Sequence, residues 1–227
     1  MSESRDQSAG LGVPACPVLV EVFADITCPF AHVGLRRFVE HRARLDRADI
    51  VLRVRAWPLE LVNGEPLAAD AVAERVARIR EQVAPDLFTG FDRGRFPSTS
   101  LPALRLVAAA YGRDERTGEQ VSMALRTALF EEGLDVSEPT VLASIARCHA
   151  LDPDPGPEAE ADAERAVLSD WHEGIARGVL GSPHFFVGTR SHFCPMLDIR
   201  SVDEQLVVGV DASRLSAFVA DVFGGLG

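Results

Sequence analysis

Val18 to Ala24 (VLVEVFA) is apolar, rich in β-branched and aromatic side chains and broken only by Glu21, which predicts a buried strand. Asp25 to Pro29 interrupts it. From Phe30 onward, Val33, Leu35, Phe38, Val39 and Leu45 recur at helical spacing among arginines and glutamate, predicting an amphipathic helix to about Arg47. Ile50 to Ala56 (IVLRVRA) alternates apolar with polar positions and predicts a second strand. Strand, helix and strand in this order form a βαβ unit, whose crossover favours parallel pairing.

The texture then changes. Trp57 to Pro66 is turn-rich, Ala68 to Ala84 has helical periodicity, and Pro85 to Pro102 reads as an irregular loop. Leu101 to Tyr111, Glu115 to Glu132 and Glu138 to His149 predict three more helices, the last with Pro139 as an early residue and Ser137 as its cap. A proline-rich break, DPDPGPE, precedes a helix over Ala159 to Arg177. Strand character returns at Phe185 to Val187 and at Ser191 to Cys194, with Gly188, Thr189 and Arg190 as hairpin punctuation between them. Val202 to Val208 reads equally as strand or helix, and Ala212 to Phe223 as a closing amphipathic helix. The pattern divides into a leader over 1–17, an α/β domain built from 18–62 and 178–227, and a helical insertion over 63–177.

At 227 residues and 47% hydrophobic, the chain can bury the core that such a domain needs. Its net charge of -11 argues against a nucleic-acid backbone as partner, because phosphates call for a basic face. No apolar run reaches the roughly 18 residues of a membrane span. The N-terminus lacks the pattern of a secretory signal, so it reads as a flexible leader and the protein as cytoplasmic. Cys16, Cys28, Cys148 and Cys194 show neither C-x-x-C nor zinc spacing, and no metal site is expected. In a reducing compartment each is first read as a small buried hydrophobe. Cys28, and less firmly Cys194, stand apart.

Asp25-Ile-Thr-Cys28-Pro-Phe-Ala31 lies where the first strand hands over to the first helix. There the unpaired N–H groups and positive end of the helix dipole would stabilise a thiolate, and Pro29 suits the first helical position. Two readings stand: a nucleophilic thiol of low pKa, or a packed and inert cysteine. Gly181-Ser182-Pro183-His184-Phe185-Phe186, just before the hairpin, is the second motif.

DITCPFA, GSPHFFVG and the helical block between them resemble the DsbA-like thioredoxin superfamily. The nearer likeness is to its cytoplasmic branch of dithiol-isomerase-like proteins, 2-hydroxychromene-2-carboxylate isomerases and kappa-class glutathione transferases. Ser98 to Gly112 (STSLPALRLVAAAYG), Ala128 to Asp135 (ALFEEGLD) and Trp57-Pro58 are similar to that branch as well, and the resemblance spans about Val18 to Phe223. It implies an α/β thioredoxin fold with an inserted all-helical subdomain. It makes Cys28 the nucleophile, with Pro29, Phe30, Ser182 and Pro183 as substrate-positioning residues. Pro183 is then expected to be cis and to face Cys28.

Ala31 stands where the family's resolving cysteine would be. A dithiol cycle needs that second thiol to release a mixed disulfide. The resemblance therefore implies a single-cysteine thiol-dependent oxidoreductase acting on a small thiol or a protein disulfide. One alternative is a glutathione-dependent isomerase or transferase, with glutathione as the cofactor. Those relatives carry serine where Cys28 stands, and a polar ligand-contacting segment where this chain reads His192-Phe-Cys-Pro-Met-Leu-Asp198. Another is a non-catalytic thioredoxin-fold binding module. No nucleic-acid or membrane partner is expected, and a homodimer is left open.

Auxiliary candidates are His32, Asp25 and Cys194. His32 reads either as a neighbour of the thiolate or as an exposed helix-surface residue. Asp25 reads as a proton relay or, more simply, as a loop carboxylate, and His184 as facing towards or away from the site. Trp57, Trp171 and Phe88 read as core or cleft wall. The arginines of the insertion, balanced by glutamates, predict a solvated face. Counting outwards from a hairpin turn over Gly188 to Ser191 pairs Cys194 with Phe185, near enough to serve Cys28 as a distant resolving thiol. The plainer reading is a strand cysteine facing the core.

Overall fold

The computed structural model describes residues 17–203 and 205–224; the leader through Cys16 lies outside them. Strand β1 (Val18–Ala24) pairs in parallel with β2 (Ile50–Ala56), in register from Val18–Ile50 to Ala24–Ala56. Helix α1 (Pro29–Arg44) makes the crossover. Strand β3 (His184–Val187) pairs antiparallel with the other edge of β1, and β4 (Arg190–Phe193) antiparallel with β3, giving the order β2-β1-β3-β4. This is a thioredoxin-type mixed sheet. Leu35 and Phe38 of α1 and Phe218 of α8 (Ala212–Phe223) bury one face of the sheet against Val20, Val22, Leu52 and Phe185. Phe23, Trp57 and Phe186 form a small aromatic cluster.

Six helices separate β2 from β3 in sequence: α2 (Leu59–Asn63), α3 (Ala69–Gln82), α4 (Leu101–Arg113), α5 (Glu115–Phe130), α6 (Pro139–Cys148) and α7 (Pro157–Ala176). The turn-rich reading of 57–66 passed over α2, a single short turn too brief to show a period. Ser137 does not cap α6. The N-cap is Glu138, and Ser137 instead donates to Asp135, closing a local turn that the helix then follows.

The insertion is fastened to the sheet where a bare strand edge would otherwise lie. Tyr111 of α4 accepts from Val54 N at 2.8 Å and donates to Leu52 O at 3.2 Å. Its ring reaches that edge across Gly118 of α5, where any Cβ would lie 2.2 Å from the ring. Asp170 of α7 accepts from Ala56 N at 3.0 Å and from Arg55 at 2.7 Å.

The ambiguous stretch at Val202 to Val208 is a hairpin. Strand β5 (Asp198–Val202) pairs with β6 (Gln205–Gly209) as a separate two-stranded sheet, turning at Asp203 with φ 49. Gln82 at the end of α3 accepts from Val208 N at 2.6 Å, so tertiary contact settles what local periodicity left open.

Candidate functional site

Cys28 is the N-cap of α1, with Pro29 at the first helical position. Its thiol donates to Ser182 O at 3.1 Å, and the Ser182–Pro183 peptide bond is cis. The GSPHFFVG loop thus meets the DITCPFA turn, and Asp25 N donates to Ser182 Oγ at 3.0 Å across the same junction. Pro29 is buried beside Cys28, and Phe30 packs against both larger core clusters.

Of the two readings of this thiol, the resting site fits the packed one and not the one of low pKa. Cys28 is 3% exposed, and burial pushes its thiol up from the ordinary value. Ser182, the Ala31 amide and Arg126 pull the other way, while the Asp25 charge adds to the rise. A helix N-terminus alone does not outweigh full burial.

Gly34 on α1 sets how closely this loop approaches. A Cβ at that position would stand 3.3 Å from Pro183 Cγ and 3.8 Å from the Phe185 ring. Gly34→Ala is expected to leave stability within about 1 kcal/mol, as helix propensity offsets the tight contact. Gly34→Leu should cost about 1–3 kcal/mol by overpacking and push the Pro183 loop away from α1. Urea titration, together with the alkylation rate of Cys28, checks both; a Leu variant with unchanged stability and unchanged thiol reactivity would refute this packing argument.

Asp25 is fully buried and anchors the turn instead of sitting in a solvated loop. Its Oδ1 accepts from Thr27 N (2.7 Å) and Thr27 Oγ1 (2.6 Å), and its Oδ2 from Leu59 N (2.7 Å) and Ser100 Oγ (2.9 Å). Beneath it lies Arg126 of α5, also fully buried, donating from Nη1 to Asp25 O at 2.7 Å and reaching Ile26 O at 3.4 Å. Arg126 departs from the expectation that the insertion's arginines form a solvated face, which Arg78, Arg93, Arg113 and Arg165 do meet. Its helical spacing was the available signal: it follows Ser122 by one turn and neighbours Leu125 and Leu129 on the buried side of α5.

His32 is wholly buried, not on the helix surface. Its Nε2 lies 2.7 Å from Glu131 Oε1, and its ring packs against Phe88 and Phe130. Glu131 also accepts from Phe88 N (2.9 Å), Thr89 N (3.0 Å) and Thr89 Oγ1 (3.1 Å). Burial lowers the His32 pKa despite the carboxylate, so the neutral ring donates from Nε2. The unpartnered Nδ1 is then a bare lone pair, a smaller penalty than an orphaned N–H.

His184 is buried on β3, accepts from Leu180 N at 3.1 Å and stacks near Phe186. Burial, helped by Arg177 and His192, pushes its pKa down to about 4. Trp57 and Phe88 are core, and Trp171 is partly buried against the Phe23 cluster.

The register of Cys194 differs from the expected one. Phe185 pairs with His192 and His184 with Phe193, so Cys194 lies beyond β4, opposite Pro183. Its N–H donates to Pro183 O at 3.0 Å from a left-handed conformation, φ 43. The turn holds two residues, Gly188-Thr189, where the Phe185 pairing needs the four from Gly188 to Ser191, and this two-residue difference moves the pairing from Phe185 to Pro183. Burial, with the Cys28 charge behind it, pushes the Cys194 thiol up to about 12. Cys28, Cys148 and Cys194 are all free thiols. Among the described residues no cluster suited to holding a metal ion occurs.

A family model for the DSBA-like thioredoxin domain matches residues 19–217. The chain belongs to that family. No curated protein matches the sequence. Among solved structures, a 2-hydroxychromene-2-carboxylate isomerase is similar with TM-score 0.58 and 16% identity, over 77% of this chain and 88% of that one. A Nitrosomonas europaea protein named as a candidate protein disulfide isomerase gives TM-score 0.61 at 14% identity, over 93% and 100% of the two chains. The cytosolic disulfide reductase DsbM from Pseudomonas aeruginosa, solved with GSH, gives 0.57 at 15%, over 77% and 88%. At these identities the likeness is one of fold. Among the described residues no helix is long and apolar enough to cross a membrane.

Proposed function

We propose that this DsbA-like protein is a thiol-disulfide oxidoreductase working through one cysteine, with a small thiol or a protein disulfide as its substrate. The observation that carries the reading is the contact of Cys28 Sγ with the Ser182 carbonyl at 3.1 Å, with alanine in place of a second thiol at position 31. In the reaction, the Cys28 sulfur attacks a disulfide R–S–S–R′, forming Cys28–S–S–R. The departing R′ sulfur takes up the proton that Cys28 gives up. A second external thiol then displaces Cys28 and restores it. Because the resting thiol is buried and held protonated, it reacts when a substrate occupies the Ser182 loop and is otherwise protected from adventitious oxidation.

Leu180 and Phe193 support an apolar approach to this loop: they are 73% and 38% exposed, and Phe193 lies 3.0 Å from a Cβ built on Gly181. Glutathione is the small thiol this reading favours, since DsbM, of similar fold, was solved with it. A cytoplasmic setting suits a protein that depends on external thiol for its reset.

Incubation with oxidised glutathione, followed by peptide mass spectrometry, tests the reading. One glutathionyl adduct is expected on the Cys28 peptide, reversed by reduced glutathione and absent from Cys28→Ser. Adducts confined to the exposed Cys148, with Cys28 unmodified under the same exposure, would leave a binding module as the remaining account.

A further inference from the structure

Arg126 is the one buried cation beside the Cys28 turn whose charge no salt bridge among the described residues accounts for. Its Nη1 is held by the Asp25 and Ile26 carbonyls, which are neutral acceptors. Its Nε and Nη2 are buried with no hydrogen-bond partner among the described residues. A guanidinium kept out of water calls for an anion, because its desolvation is otherwise uncompensated.

Four ionisable groups face it: Asp25 from the turn after β1, Cys28 and His32 from the head of α1, and Tyr111 from α4. The Asp25 charge is the largest that offsets the burial of Arg126, with Cys28 next, although both Asp25 oxygens accept from Thr27, Leu59 and Ser100 and neither from Arg126. The Tyr111 hydroxyl is occupied by the β2 backbone and is kept a neutral phenol by burial. His32 can supply no negative charge. Only Cys28 can add an anion there, and only when it ionises.

We propose that Arg126 is the internal counter-ion of the Cys28 thiolate, fixed under the active-site turn by the Asp25 and Ile26 carbonyls. It rests on Cys28 being the reacting thiol, and makes Arg126 a positioning and charge-balancing residue that does not touch substrate. The two fixed charges divide the work. Burial keeps the resting thiol protonated and the Asp25 charge adds to it, while Arg126 opposes both so that the thiolate remains accessible. Burial lowers Arg126 itself only to about 10, so it stays a cation throughout the neutral range. A rigid cation set on neutral carbonyls needs no rearrangement when the charge forms, which is the condition for electrostatic preorganisation.

The test is the pH profile of iodoacetamide alkylation, read on the Cys28 peptide by mass spectrometry, a measurement that needs no disulfide substrate. Arg126→Met is expected to raise the apparent Cys28 pKa by about one unit, slowing alkylation near neutral pH about tenfold. Asp25→Asn is expected to move the profile the opposite way. Arg126→Lys, which keeps a cation but loses the fork, should fall between wild type and the methionine variant. Should the methionine variant fail to fold, Arg126→Gln carries the same expectation. If the folded neutral variants titrate Cys28 where wild type does, or shift it in the same direction as Asp25→Asn, Arg126 merely props the turn and the proposal fails. Loss of glutathionylation in wild type would instead sink the oxidoreductase reading, and leaves this profile measurable.

Discussion

Ala31→Cys is expected to turn a protein that waits at the mixed disulfide for an external thiol into one that resolves it internally. Position 31 lies one helical turn beyond Cys28, on the same face of α1, and is completely buried. Its amide already supports the Cys28 sulfur. A thiol introduced there would attack Cys28–S–S–R, close an intramolecular disulfide and release R–SH, with no external thiol needed for that step. An intramolecular group acts at an effective concentration of millimolar or more, so against micromolar external thiol the resolving step should gain about 10²-fold or more. Insulin reduction with dithiothreitol should therefore rise from near background to a robust rate. Adding a sulfur to a filled site costs about 1–3 kcal/mol, so the melting temperature is read alongside. A folded variant with wild-type turnover would show that release of the mixed disulfide is not what limits this protein.

That prediction is possible because the sequence shows the strand–helix junction so clearly. β1 and β2 coincide with the runs read from the chain, since each alternates or is continuously apolar between strong breakers. The longer helices of the insertion were legible to within a turn, because each is amphipathic and most begin or end at proline, glycine or aspartate. The charged floor of the site was not. Arg126 and Glu131 look like ordinary members of a charge-balanced helical block, and only the packing of α5 under the Cys28 turn gives them partners 100 residues away. The Cys194 register failed for a different reason. Two residues of turn length decide it, and strand periodicity carries no information about turn length.

The largest stability effect is expected at Glu131, which ties α1, the Phe88 loop and the end of α5 together. Glu131→Ala removes acceptors from His32 Nε2, Phe88 N, Thr89 N and Thr89 Oγ1 at once. His32 and Phe88 are buried, so their N–H groups are left without water to replace the carboxylate. Hydrogen bonds to a charged acceptor contribute about 1.5–3 kcal/mol each and do not add fully, so a net loss of about 3–5 kcal/mol is expected in urea titration. The same cluster sets an acid limit. Burial on its own would raise the Glu131 pKa, but the His32 ring and the Phe88 and Thr89 amides outweigh it and hold the carboxyl down at about 2, against 4.5 ordinarily. A depressed folded-state pKa contributes stability that is complete above the unfolded value and is lost as pH falls from about 4.5 towards 2. His32 acts in the same direction at higher pH. Its folded-state pKa lies below 6.5, so its contribution is complete above 6.5 and declines as pH falls beneath that value. Wild type should therefore lose stability in two steps on acidification, and Glu131→Gln should flatten the lower one. A glutamine variant whose stability still falls between pH 4.5 and 2 as steeply as wild type would show that other carboxylates govern the acid transition.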